Sequence, residues 1–152
     1  MVDTRLLKSE VEQCVREQLK EKFGQPFVKR FLPVGRCADG SPATHEFDAV
    51  SADGRIVVGI KSSSGKTSGG RHPSGKIAAA YKELYFLSLV KAERRILVLT
   101  DREFYRILGN DCDGKLAPGL ELMLIPLPPE LEQQVQVVQE AASQEMSVTT
   151  TG

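Results

Sequence analysis

The chain has 152 residues, 41% hydrophobic and 26% charged, a composition that excludes disordered and fibrous classes and a length that suits one hydrophobic core rather than two. Twenty Lys and Arg balance twenty Asp and Glu, so no global positive field argues for nucleic acid, and any such site must come from a local basic cluster. Cys14, Cys37 and Cys112 lack the paired spacing of a zinc site, which leaves packing residues or free thiols in a reducing compartment.

In chain order, Leu7, Val11, Val15 and Leu19 recur at helical spacing, and Gly24 with Pro26 closes the segment, so residues 4–23 read as an amphipathic helix. MVDTRLLKSE at its start holds no apolar core of signal-peptide length, and no run approaches a membrane span, so a cytoplasmic location without a membrane partner is expected. Three strand-like pieces follow: Phe27 to Gly35, His45 to Ser51 and Arg55 to Ser63. The last two flank Asp53-Gly54, a hairpin signal. Ser62 to Gly75 is rich in Ser and Gly without periodicity and reads as an exposed loop. Lys76 to Glu93 is apolar on nearly all faces and reads as a well-buried helix. Arg94 to Asp101 reads as a buried strand of the parallel type. A short helix over DREFYRIL, a strand from Leu120 to Leu127, a polar helix to about Ser143 and a frayed end complete the chain. The expectation is one domain over residues 1–146 with a disordered tail over 147–152. Its order, α-β-β-β-α-β with a further strand and helix, describes an α/β fold: a mixed sheet with helices on its faces.

The stretch GIKSSSGKTSGG, Gly59 to Gly70, combines halves of two motifs. A nucleotide-binding Walker A loop needs a glycine five residues before Gly65 and a helix that starts at once, so that its N-terminal amides face the phosphates. Ile60 stands at the glycine position, and SGGRHPSG after Thr67 cannot start a helix. ILVLTD, ending at Asp101, could serve as a Walker B strand, but apolar strands ending in Asp are common. The left half fits better. In a strand Gly59 and Lys61 share one face, and a hairpin at Asp53-Gly54 would bring Asp48 alongside, so that Asp48 and Lys61 converge at one end of the sheet.

On Phe47-Asp48, Gly59-Ile60-Lys61-Ser62-Ser63, an acidic residue on the first helix, and the element order over about residues 4 to 101, the chain resembles the PD-(D/E)XK nuclease superfamily. The resemblance implies a restriction-endonuclease-like core. It also implies Mg²⁺ or Mn²⁺ held by Asp48 and the backbone carbonyl of Ile60, Lys61 orienting or deprotonating the attacking water, and Glu12, with Glu10 in reserve, completing the site. The metal would stabilise charge developing on the phosphate. The chain departs from the pattern where the second metal-binding acid should stand, since that position is Gly59. Some members of the superfamily carry this acid on the following helix, where this chain has Glu83; the other reading of Glu83 is a surface glutamate paired with Lys76 or Lys82.

Glu10 and Glu12 point about 100° to either side of Val11, and the drift of Val15, Leu19 and Phe23 places Glu12 nearer the buried face. The loop supplies Ser63, Lys66, Arg71 and Lys76 as phosphate contacts under the nuclease reading. Under the plainer one it is a mobile surface loop. His45 and His72 lie far apart in sequence and form no ligand pair, and no serine-hydrolase or thiol-protease constellation is present. Two functions therefore stand side by side. The first is a metal-dependent DNA endonuclease or junction-type nuclease acting on branched or single-stranded DNA, with a homodimer allowed by fold-level analogy. The second is a catalytically degenerate module that binds nucleic acid or a protein partner without cleavage, which Gly59 favours.

Overall fold

A computed structural model describes residues 3–66 and 72–150, with side chains described through residue 142. The elements are α1 (Thr4–Phe23), β1 (Phe27–Arg36), β2 (Pro42–Ser51), β3 (Ile56–Lys61), α2 (Ser74–Leu89), β4 (Arg94–Leu99), α3 (Arg102–Cys112), β5 (Leu120–Leu124) and α4 (Pro129–Thr150). The five strands form one mixed sheet in the order β1-β2-β3-β4-β5. β1, β2 and β3 are antiparallel, whereas β3, β4 and β5 run parallel.

The ends of α1 follow from local chemistry. Asp3 caps it by accepting a hydrogen bond from the Arg5 N–H at 2.9 Å, and Gly24 ends it in the left-handed conformation, φ 73°. The β2–β3 turn is held in the same local way. The Asp53 carboxylate accepts from the Arg55 N–H, the Ser51 hydroxyl and the Gln25 amide, and these bonds hold its pKa below the ordinary value. β3 and β4 lie in the middle of the sheet and must be apolar on both faces, which is why they read as continuous apolar runs.

Both sheet faces are covered. On one, α1 and α4 pack over Ala49, Val58, Ile60, Ile96 and Val98. On the other, α2 and α3 pack over Phe47, Val57, Leu97 and Leu99. The chain steps from β3 to β4 to β5 in one direction, so both crossover helices belong on one side if the two connections share a hand.

Several elements differ from the expectation. β1 and β2 are longer, and the arm they form pairs beyond the rest of the sheet: β2 meets β3 only at Ala49–Val58 and Val50–Val57. α2 is not buried all round. Ile77, Ala80, Leu84 and Leu87 face the sheet, while Ala78, Ala79, Tyr85 and Leu89 are exposed, because the helix covers the sheet and nothing among the described residues covers the helix. α3 continues to Cys112, with Phe104, Leu108 and Cys112 buried at helical spacing. α4 continues to Thr150, through the 147–150 backbone expected as part of a tail. No helix among the described residues is long and apolar enough to cross a membrane.

One carboxylate joins two elements. Asp101 Oδ2 accepts from the Phe104 N–H at 2.8 Å, capping α3, and from the Gly65 N–H at 2.9 Å, which fastens the loop after β3. Gly65 itself presses on α3: a Cβ there would lie 2.6 Å from Glu103 Cγ and 2.8 Å from the Phe104 nitrogen. The glycine of GKT thus serves a close approach to a helix N-terminus, and the next helix in sequence, α2, starts only at Ser74. Asp101→Ala should lower stability by about 1–2 kcal/mol in urea denaturation, whereas Asp101→Asn, whose amide oxygen can still accept from the same N–H groups, should avoid most of that loss. An Asp101→Ala variant as stable as the wild type would refute the clamp.

Candidate functional site

The site begins with a fault in the β-ladder. β1 pairs Val28 with Val50 but Arg30 with Phe47, so β2 carries one extra residue in the Asp48-Ala49 region. Such a bulge turns side chains away from strict alternation and frees backbone groups. Both consequences are visible. The Asp48 carbonyl accepts from Arg16 Nη1 of α1 at 2.9 Å, and the Asp48 carboxylate accepts from the Ile60 N–H at 2.7 Å through Oδ2. A side chain therefore binds an amide that the next rung of the β2–β3 ladder would otherwise bind. The strands part here, and half-buried Asp48 sits at the parting.

Gly59 lies one residue before Ile60 and on the α2 side of the sheet, given that Val57 packs with α2. A Cβ built on Gly59 would lie 2.8 Å from Glu83 Cγ, 3.1 Å from Glu83 Oε1 and 3.3 Å from Leu97 Cδ1. The Glu83 side chain, Cγ foremost and Oε1 beside it, thus occupies the space next to the backbone where a side chain of residue 59 would start. Glu83 and Asp48 reach the same Gly59-Ile60 peptide, one from the helix above and one from the neighbouring strand.

Glu83 is not paired with Lys76 or Lys82. Its Oε2 lies 3.4 Å from His45 Nε2, with only 13% of the Glu83 side chain exposed. The His45 ring stacks on Phe86, with centroids 3.9 Å apart and planes at 3°, and meets the edge of Phe47 at 4.9 Å.

The other expected residues are placed as follows. Lys61 ends β3, half-buried, and shares the Gly59 face by strand alternation. Glu12 is the buried acid of α1 and Glu10 is exposed. Glu12 Oε2 lies 3.5 Å from Lys29 Nζ, while its Oε1 is buried without a hydrogen-bond partner. Glu12 belongs to the α1 layer and Glu83 to the α2 layer, on opposite faces of the sheet. Ile60 packs its side chain in the α1 layer and gives its N–H to Asp48. Among the described residues, no three His, Cys, Asp or Glu side chains come together as a group able to hold a metal.

In the loop, Ser63 is half-buried and Lys66 exposed. Lys76 turns back onto the loop, donating to the Ser64 carbonyl at 2.8 Å and the Lys66 carbonyl at 3.0 Å. Burial pushes its pKa down, against the opposing pull of the Asp101 charge. Gln139 of α4 donates to the Ser62 carbonyl at 2.8 Å. Arg71 lies outside the described residues.

Sequence reasoning missed Arg16, Lys29 and His45. Arg16 follows Glu12 by one helical turn, a spacing that places both on the same side of α1 and could have drawn attention to it. Lys29 and His45 carry no such signal, because their partners come from other elements.

The chain matches no protein-family model, no curated protein and no solved structure. What can be said of the site rests on its own geometry.

That geometry makes a direct demand on Gly59. Gly59→Ala should destabilise the protein by roughly 1–3 kcal/mol, the range for overpacking a filled interior. Glu83→Ala should relieve much of that cost, so the two substitutions will be non-additive in a double-mutant cycle by urea denaturation. Additive effects would mean that Glu83 does not fill the Gly59 space.

Proposed function

We propose that the protein is a metal-dependent phosphodiesterase of restriction-endonuclease-like fold acting on DNA, with Glu83 in place of the acid absent at residue 59. The observation that carries this reading is the position of the Glu83 carboxylate against the Gly59 backbone. The element order α1-β1-β2-β3-α2-β4 supports it.

The donor set fits magnesium in one respect. Asp48 uses Oδ2 on Ile60, leaving Oδ1, and Glu83 directs Oε2 toward His45, leaving Oε1 beside Gly59. Magnesium commonly keeps several waters and takes one or two protein carboxylates, so a cage of three acids is not required. Asp48 and Glu83, with the Ile60 carbonyl, would hold Mg²⁺ or Mn²⁺, which would offset charge on the phosphate and make water nucleophilic near neutral pH. Lys61, on the same strand face as Gly59, would orient or deprotonate that water. In the reaction the water oxygen bonds to phosphorus, the bond from phosphorus to one ester oxygen breaks, and that oxygen takes up a proton. Glu12, in the α1 layer across the sheet from Glu83, is a buried carboxylate with one unpaired oxygen and would act on this site only indirectly. Ser63, Lys66 and Arg71 would contact the DNA backbone. Lys76 would act indirectly, by shaping the loop whose carbonyls it binds.

A second reading, a recognition module that does not cleave, has its own support. Glu12 does not join Asp48 and Glu83 in a three-acid group, and Lys76 is engaged by the loop. Supercoiled, linear, single-stranded and branched DNA incubated with Mn²⁺ or Mg²⁺ separates the readings. The nuclease reading expects cleavage that falls roughly 100-fold or more in each of Lys61→Ala, Asp48→Ala and Glu83→Gln. Wild-type protein that shifts DNA in a gel and leaves it intact would decide for recognition.

A further inference from the structure

We infer that His45 is a positioning residue: it fixes the Glu83 carboxylate so that Oε1 stays beside Gly59 while Oε2 is held away. This rests on the proposed role of Glu83. Three observations carry it. First, the two oxygens are differentiated, with Oε2 at 3.4 Å from His45 Nε2 and Oε1 at 3.1 Å from the Cβ position of Gly59. Second, the imidazole is itself immobilised by a parallel stack on Phe86 and an edge contact with Phe47. Those aromatics come from α2 and β2, so the ring direction is set by the same two elements that carry Glu83 and Asp48. Third, both side chains are largely removed from water, 25% exposed for His45 and 13% for Glu83. A carboxylate so placed needs a polar partner, and His45 Nε2, 3.4 Å from Oε2, is placed to be one.

The physical reason for such a device follows from the origin of the acid. An acid carried by a strand inherits its direction from the backbone. Glu83 reaches the strand from a helix, along a side chain with three rotatable bonds, and without a support it would sample several rotamers. Groups that hold a metal-binding carboxylate or histidine in place change metal affinity without touching the metal.

The test separates packing from the polar contact. His45→Phe keeps a ring against Phe86 and removes the nitrogen. His45→Gln gives up the ring and places an amide nitrogen near the position of Nε2. Mn²⁺ dissociation constants, read from the loss of the free-ion paramagnetic resonance signal, should rise roughly 10–100-fold in His45→Phe and return toward wild type in His45→Gln. His45→Phe binding as tightly as wild type would overturn the inference, as would equal weakening in both variants.

A metal-free readout distinguishes failure of the inference from failure of the nuclease reading. The chain has two histidines, so His72 serves as an internal reference. Glu83→Gln should shift the His45 ring-nitrogen resonances and leave those of His72 in place. Unmoved His45 resonances would refute the contact. Shifted resonances in a protein that binds no Mn²⁺ would uphold the contact and refute the metal reading instead.

Discussion

The close approach of Glu83 to the backbone at Gly59 is the constraint on which the rest of the site depends. A central strand flanked by parallel and antiparallel neighbours is packed on both faces, and β3 shows this in its run of buried residues. A missing side chain in such a strand is a space that the interior must fill, since cavities are costly. Here the Glu83 side chain fills it, its Cγ methylene foremost and Oε1 beside it, and a largely buried carboxylate must then be given partners. His45 within the arm, Phe86 beneath its ring and the extended β1–β2 hairpin that carries it are parts of that solution.

The second feature, the parting of β2 from β3, is linked to the first through the Gly59-Ile60 peptide. The extra residue in β2 releases the Asp48 carbonyl to Arg16 and turns the Asp48 carboxylate onto the Ile60 amide. Both sheet layers are thus tied to one point: α1 through Arg16, and α2 through Glu83. The loop that follows β3 is fastened by separate means, from α3 through Asp101, from α2 through Lys76 and from α4 through Gln139. Two carboxylates thus reach one peptide near the end of a central strand, with a restrained loop after it.

Much of this was legible in the sequence where local chemistry decides it. α1 could be bounded by its periodicity and by Gly24, the β2–β3 turn by Asp53-Gly54, and β4 by its short apolar run. Glu12 could be separated from Glu10 by helical geometry alone. The features that stayed hidden are relations between distant elements. An extra residue in β2 appears only in the pairing with β1, and the choice of His45 over Lys76 or Lys82 as the partner of Glu83 depends on how the arm lies against α2. Composition misled at α2, where Ala78, Ala79, Tyr85 and Leu89 read as buried because they are apolar, although among the described residues the helix has one neighbouring layer, the sheet. Periodicity could not distinguish the two cases, since an all-round apolar helix gives little contrast between faces.

The central claim is that Glu83 does the work of an acid absent from Gly59. Its most direct test is an anomalous difference map from crystals grown with Mn²⁺. The account predicts a peak bounded by the carboxylates of Asp48 and Glu83, lost in Glu83→Gln crystals grown in the same way. A peak that ignores Glu83, or a wild-type map without one beside the Gly59-Ile60 peptide, would contradict it.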